Sequence, residues 1–266
     1  CDILVTGSGP SGLASAYAAA KNGAKVILAE EKPRFGGSLL TSDVNIGNQT
    51  GHEWAEKIIS ELKTMPNVIV KNRSQVFGYY DHNMLVMSER VSDHLPKTDK
   101  YIPKQRLWYI RAKEVVISSG SIERPLVFGN NDTPGVMLSS AAKEYMKIYG
   151  VLVGKKPLIF TNNDSGYETA IEFKKNGIDP IILDSRKNPK SDIITEAQNL
   201  NIKIKYSHVV VAAKGYKKVS SADIAEISVD KKNLGKIENI SCDCICVSGF
   251  WTPTIHLASQ SGSKTT

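Results

Sequence analysis

The sequence predicts an α/β fold: two Rossmann-like domains of the FAD/NAD(P)-binding type, the second inserted into the first, with parallel sheets and a β-ribbon or meander. Three observations carry this. Gly7-Ser8-Gly9-Pro10-Ser11-Gly12 follows directly on the apolar run Ile3 to Thr6 and opens a helix. A second strand–helix–strand pattern recurs at 157–183 with matching spacing, since Gly12 to Glu30 and Gly166 to Asp184 are both 18 residues. Cys242 to Val247 then reads as a strand that returns to the first domain. The length, 266 residues, suits one large or two medium domains at about 150 residues each.

The elements follow in order. Ile3 to Thr6 is a continuous apolar run, as in a strand buried on both faces. Leu13 to Asn22 is Ala-rich and helical, and Gly23 closes it. Lys25 to Ala29 is the next strand, with Glu30 at its end. Gly51 to Lys63 is an amphipathic helix with Trp54, Ile58, Ile59 and Leu62 on one face, stopped by Pro66. Strands are expected at Val68 to Lys71 and Gln75 to Tyr80, a β-ribbon at 84–113, and a buried strand at Glu114 to Ser118 leading to Ser119-Gly120. Pro125 to Gly135 is Pro/Gly/Asn-rich and reads as a linker. Ser139 to Tyr149 is a connecting helix; Pro157 to Thr161, Gly166 to Lys175 and Pro180 to Leu183 form the second unit. Strands near Lys203 to Tyr206, Val209 to Ala213 and Ile224 to Val229 complete it. The expected domains are therefore 1–135 with 240–266, and 150–239, joined by a helix within 136–149.

Composition excludes several classes. No run of 18 apolar residues exists, so no membrane-spanning helix is expected. The net charge is +7 (34 basic, 27 acidic), but the lysines are scattered, which favours a solvated surface or an acidic partner over nucleic acid. Cys242, Cys244 and Cys246 alternate and would share one strand face. They lack zinc-site spacing and read as small buried residues, in keeping with a reducing cytoplasm. No metal site is expected. The first residue is Cys1 with a strand starting at Ile3, so an earlier segment is expected to be missing and no signal peptide is visible.

The first glycine loop carries the chemistry. Gly7 permits the tight turn, Gly9 lets a pyrophosphate approach the backbone, and Gly12 lets helix pack on strand. The helix N-terminus offers free N–H groups and a positive dipole end to the phosphates. Glu30 can accept from ribose hydroxyls and would repel a 2′-phosphate, which disfavours NADP; Lys32 partly offsets this. Gly36-Gly37-Ser38 follows at the spacing usual in flavoproteins with two dinucleotide domains, where that loop runs along the adenosine and pyrophosphate. A ligand-free structural loop is the bland alternative.

In the second loop Thr161, Asn163 and Gly166 stand where three glycines belong. Asn163 would occupy the place of a phosphate, so this site reads as a relic; the rival is that Asn162, Asn163 and Asp164 bind something else. No Cys-x-x-Cys is present, which argues against a thioredoxin reductase-type enzyme. The segment around His82 is either a packed loop or a site lining, and Trp251 and His256 face either a cofactor or the core. No nucleophile–base pair is legible, and no catalytic residue is assigned.

Seven segments occur in the order seen in the alpha subunit of heterotetrameric sarcosine oxidase. They are Gly7 to Gly12, Phe35 to Leu40, Val76 to Leu85, Ser118 to Phe128, Asn130 to Met137, Thr161 to Tyr167 and Ser248 to Ser261. Val-Phe-Gly-Tyr-Tyr-Asp-His-Asn (76–83), Ile-Glu-Arg-Pro-Leu-Val-Phe (122–128), Thr-Asn-Asn-Asp-Ser (161–165) and Trp-Thr-Pro-Thr-Ile-His-Leu (251–257) are far more specific than the glycine loop. The chain resembles a fragment of that subunit, which has a small domain before this region and a folate-binding, aminomethyltransferase-like region after it. The resemblance implies a complex with beta, gamma and delta subunits that oxidises sarcosine to glycine, forming hydrogen peroxide and methylenetetrahydrofolate. It implies NAD in the first site, with FAD and FMN mainly on the partner subunit. It carries the cofactor contacts to Ser8, Glu30, Glu31, Lys32, Ser38 and Val76, beside Gly7, Gly9, Pro10, Ser11, Gly12, Gly37 and Gly120 read from the loops. Two other readings stay open: an FAD-binding subunit of a related amine, opine or proline dehydrogenase, and a non-catalytic dinucleotide-binding scaffold.

Overall fold

A computed structural model describes residues 1–228, 230 and 232–262. The chain forms two compact units: 1–121 together with the segment from Pro253, and 122–252.

In the first unit β1 (Ile3–Thr6), α1 (Pro10–Lys21) and β2 (Val26–Ala29) form the expected strand–helix–strand, with Ile3 paired parallel to Val26. A short hairpin of β3 (Asn45–Ile46) and β4 (Gln49–Thr50) runs into α2 (Gly51–Thr64). A capping box starts α2: the Thr50 hydroxyl accepts from the Glu53 N–H at 3.2 Å, and the Glu53 carboxylate accepts from the Thr50 N–H at 2.8 Å. β5 (Val68–Lys71) joins the sheet edge. Leu13 and Ala16 of α1 meet Ile58, Ile59 and Leu62 of α2 over Val5 and Leu28, so the helices cover the apolar face that the parallel strands must bury.

β6 (Ser74–Tyr80), β7 (Met84–Arg90) and β8 (Gln105–Arg111) make the expected ribbon, an antiparallel meander. β9 (Glu114–Ile117) then pairs with β1, giving the order β5-β2-β1-β9. The polar, aromatic segment at 79–83 contains the hairpin turn: three residues, 81–83, link the paired Tyr80 and Met84, and His82 and Asn83 both take positive φ, 57° and 52°, a conformation for which His and Asn are enriched. The Tyr79 hydroxyl donates to Asn83 Oδ1 at 2.8 Å, and Asn83 Nδ2 donates to the Lys113 carbonyl at 2.8 Å. Tyr79 and Asn83 thus pin the turn in place, while Asp81 and His82 are exposed.

The chain leaves through β10 (Ser121–Arg124). The second unit contains β11 (Val136–Leu138), α3 (Ser139–Tyr149), β12 (Pro157–Thr161), α4 (Ser165–Lys175), β13 (Ile181–Asp184), α5 (Asp192–Asn199) and β14 (Lys203–Tyr206). A meander of β15 (His208–Lys214), β16 (Ser221–Glu226) and β17 (Glu238–Ser241) follows, then β18 (Cys244–Ser248). β19 (Phe250–Pro253), paired with β10, and α6 (His256–Gln260) end the described chain.

Several expectations need correction. β18 does not return to the first sheet. It lies parallel between β11 and β12, in the order β11-β18-β12-β13-β14. All five of its residues are buried, with Cys244 and Cys246 against the helices and Ile245 and Val247 in the core under the meander. The expected domain limits therefore move, from 135 to 121 and from 240 to 253. The segment 136–149 is no connector: its first residues form β11 and its helix packs on α4 within the second unit. Pro125 to Gly135 likewise belongs to that unit. α5 was not anticipated, and neither were the short strands β10, β17 and β19. The strand expected to end at Val229 begins earlier, at Ser221, and Val229 itself lies outside the described residues, as do 263–266 of the first expected domain.

Cys242 precedes β18 and packs in a different cluster from Cys244 and Cys246, so the three do not share a face. Among the described residues no group of side chains fits a metal ion. Burial first, and then the neighbouring Cys244 and Asp243, push the Cys242 thiol up to about 12 from 9.0. The Cys246 thiol is also pushed up, by its hydrogen bond with Cys244 and by burial. A thiol reagent at pH 8 is expected to titrate Cys1 alone in the folded protein and all four cysteines in denaturant. Above about pH 9 the unfolded chain releases these protons and the folded chain keeps them. For Cys242 stability should therefore fall as pH rises through the window between 9 and 12, by up to about 1.4 kcal/mol per pH unit, and the raised Cys246 thiol acts in the same direction. Urea unfolding across that range checks it; a flat profile would contradict the burial of the pair.

Candidate functional site

The turn between β1 and α1 is held by two close approaches. Gly7 sits at φ +97°, and a Cβ there would lie 2.3 Å from the Ser118 carbonyl oxygen. A Cβ on Gly12 would lie 2.0 Å from the Gly7 carbonyl oxygen. Gly9 is different: a Cβ would meet nothing within 4 Å. Its backbone, φ −65° and ψ −178°, is one that any residue adopts, so the chain itself gives no reason for a glycine there. The open ground lies at the head of α1, whose first turn carries no acidic residue. Pro10 stands at the first helical position, where no N–H is needed. Leu13 N–H already closes on the Gly9 carbonyl at 2.9 Å, leaving the Ser11 and Gly12 N–H groups as the unsatisfied donors of the helix end.

Gly37 is brought to the same place. A Cβ there would stand 2.8 Å from the Gly9 Cα, and the Gly36 N–H donates to the Ser8 carbonyl at 3.1 Å. Ser38 is exposed beside it, at the start of a 3₁₀ turn. The site therefore has a floor of glycine backbone, a helix end for anions, and a second loop along one side.

Ser8 and Glu30 depart from their expected roles. Ser8 is fully buried, so its side chain does not reach a phosphate. Its N–H and hydroxyl both donate to Glu30 Oε2, at 2.9 and 2.6 Å, and its hydroxyl accepts from the Gly36 N–H at 3.2 Å. Glu30, 7% exposed, takes a third bond on Oε1 from the Lys32 N–H at 2.8 Å. A carboxylate offers about four acceptor positions, so one is left for a ligand hydroxyl. Glu30 thus stitches the two loops together as well as ending β2. Glu31 and Lys32 are exposed and line a different cavity with Arg73 and Gln75. Val76 is half-buried against the cluster of Leu4, Ala29, Leu85 and Met87. Gly120 is exposed; its carbonyl accepts from the Thr254 N–H at 2.9 Å, and Ser119 Oγ donates to the Thr254 carbonyl at 2.7 Å.

The second loop is the reverse of the first. Asn163 Nδ2 donates to the Ser248 carbonyl at 3.1 Å and to Asn162 Oδ1 at 3.0 Å. Asn163 Oδ1 accepts from the Ser165 N–H at 2.9 Å and from the Ser165 hydroxyl. Trp251 Nε1 donates to Ser165 Oγ at 3.1 Å. Asp184, at the position matching Glu30, is fully buried. It is clamped by Arg186, with Nε at 3.0 and 3.1 Å from its two oxygens and Nη2 at 2.8 Å, and it accepts from the Tyr167 hydroxyl at 2.7 Å. Arg186 Nη1 also reaches Asp164 Oδ1 at 2.8 Å. Burial opposes the charge on Arg186, but the two carboxylates outweigh it and raise its pKa. The Ser165 N–H, at the position matching Ser11, and the acid that would hold a ribose are both taken up within the chain. Sequence reasoning missed Arg186 and Tyr167; an arginine two residues after the strand-end acid was the available signal.

Residues 2–82 match the family described as FAD dependent oxidoreductase. Sarcosine oxidase subunit alpha of Rhizobium meliloti (strain 1021) is 39% identical over 265 residues, covering 99% of this chain and 26% of that protein. The protein of the same name from Corynebacterium sp. (strain P-1) is 34% identical over 267 residues, covering 99% and 27%. Over almost its whole length, this chain is homologous to sarcosine oxidase alpha subunits. It spans about a quarter of the length of these curated relatives. Among solved structures, the thioredoxin reductase of Lactococcus lactis superposes with a TM-score of 0.73 at 18% identity, over 98% of this chain and 81% of that one. The likeness is one of fold: this alpha-subunit homologue has no Cys-x-x-Cys. Among the described residues no helix of the homologue is long and apolar enough to cross a membrane.

Proposed function

We propose that the first glycine loop binds an adenine dinucleotide without a 2′-phosphate, NAD in the leading reading, and that the chain is the NAD-binding part of a sarcosine oxidase alpha subunit. The observation that carries the site is the open ground at Gly9, between two glycines that packing alone explains. Phosphate oxygens there would accept from the Ser11 and Gly12 N–H groups at the head of α1. Glu30, with one acceptor position left, would take a ribose hydroxyl, and its charge with that of Glu31 opposes a second phosphate. Gly37 keeps the neighbouring loop close without crowding the pyrophosphate.

A bound nicotinamide or flavin ring would supply hydride chemistry; this chain's residues bind and orient the dinucleotide. The amine is oxidised elsewhere in this reading: FAD and FMN belong mainly to the partner subunit, and the chain works with beta, gamma and delta subunits. The products are those of the whole complex: glycine, hydrogen peroxide and methylenetetrahydrofolate. Four free cysteines accord with a cytoplasmic location. The second loop holds no nucleotide in this reading, because Asn163 fills the loop and the Ser165 N–H and Asp184 are already paired. One observation favours a second reading, FAD in the first site: the family matched over residues 2–82 is FAD dependent.

Native mass spectrometry of the purified protein, before and after addition of NAD, NADP and FAD, separates the readings. The expected result is one NAD per chain, weak NADP, and no retained flavin. A tightly held FAD that NAD does not displace would overturn the NAD assignment.

A further inference from the structure

A cavity of about 490 Å³ opens in the first unit between the segment after β2 and the β-ribbon. Arg73 and Arg90 line it, with Glu31, Lys32, Gln75 and Ser88 among the others. The two arginines stand opposite each other across the β6–β7 pair: the Arg90 N–H donates to the Arg73 carbonyl at 2.9 Å, one step beyond the Ser74–Glu89 pairing. Like charges directly opposite on paired strands repel. Neither guanidinium is paired with a carboxylate among the described residues. The neighbouring cations are paired: Glu89 holds Lys71 of β5 at 2.9 Å and Arg106 of β8 at 3.3 Å. Arg73 also takes φ +50°, a conformation uncommon for a residue with a side chain. The ribbon thus keeps two unpaired guanidiniums face to face at a polar cavity whose wall carries three cations, Lys32, Arg73 and Arg90, against one carboxylate, Glu31, although Glu89 shows that an acid at this end can compensate its neighbours.

We propose that this cavity binds a phosphoryl dianion between Arg73 and Arg90. Two guanidiniums supply a double positive charge and fork-shaped donors that match phosphate oxygens; the Ser88 hydroxyl and the Gln75 amide are further donors on the same wall. The dianion has two sources with the same chemistry. One is a free phosphate monoester. The other is the ribose phosphate of a 2′-phosphorylated dinucleotide, because Glu31 and Lys32 follow directly on Glu30.

The test is calorimetric titration of the purified protein with inorganic phosphate, against sodium chloride at matched ionic strength, and then with NAD and NADP. Saturable binding of one phosphate per chain is expected. Arg73→Gln and Arg90→Gln should each weaken it about tenfold or more, the worth of one charge-assisted hydrogen bond. Phosphate should also protect both arginines of the unmodified protein from phenylglyoxal, read by peptide mass spectrometry, which maps the site even where a variant folds poorly. NADP binding no tighter than NAD, with phosphate binding alongside either, assigns the cavity to a free monoester. Tighter NADP, competing with phosphate, assigns it to the ribose phosphate; that outcome refutes the preference for an unphosphorylated dinucleotide and leaves the cavity standing. Absence of saturable phosphate binding, or binding unchanged in both arginine variants without protection from phenylglyoxal, overturns the proposal.

Discussion

Gly9→Ala should leave the melting temperature within about 2 °C of the parent and weaken dinucleotide binding about a hundredfold, whereas Gly12→Ala should lower stability itself. The added methyl group at position 9 meets nothing within 4 Å and needs no unusual backbone, so the fold has no cause to respond. A pyrophosphate resting on that backbone would lose its contact distance, and every 1.4 kcal/mol lost is tenfold in affinity. At position 12 the same methyl group lies 2.0 Å from the Gly7 carbonyl oxygen. Helix or turn must shift, and overpacking of that kind costs about 3 kcal/mol, or roughly 6–12 °C in a domain of this size. Differential scanning calorimetry and titration of the two variants side by side check the pair. Equal loss of stability in both would mean that Gly9 serves the fold rather than a ligand.

The second large effect is at Arg186. Its guanidinium makes three contacts to the fully buried Asp184. Removing one partner of such a pair strands a charge in the interior, a loss of about 3–5 kcal/mol. Arg186→Ala is expected to fall in that range by urea unfolding, while dinucleotide affinity at the first loop stays as it was. Adding Asp184→Asn should recover part of the loss, because the stranded charge is gone. An Arg186→Ala protein as stable as the parent would show that the clamp contributes nothing, and the second loop could then not be regarded as sealed by it.

The strand–loop–helix of the first site was legible because its signals are local. An apolar run, three glycines and an Ala-rich helix lie within 20 residues, and each answers to the same geometry. The 18-residue repeat showed the second unit in the same way. Which sheet β18 joins was not local information. Cys244 to Ser248 is buried on both faces, and such a run reads the same in any parallel sheet. That ambiguity displaced both expected domain limits. α5 has only Ile194 and Ala197 fully inside, too few positions for a helical period to stand out.

In the site itself the residue types were readable but their partners were not. Glu30 was expected to face a ribose, and it does end β2. That it first holds Ser8, 22 residues away, depends on how two loops fold over one another. The Arg73–Arg90 pair is hidden for a related reason: it follows from ribbon register, which includes a bulge between Val76 and Gly78 that no simple alternation predicts.

The central assignment is tested most directly by a crystal structure of the protein grown with NAD. The account predicts the pyrophosphate against the Gly9 backbone, within hydrogen-bonding distance of the Ser11 and Gly12 N–H groups, and a ribose hydroxyl on Glu30. A dinucleotide lodged beside Asn163, with the ground at Gly9 filled by protein atoms, would contradict it.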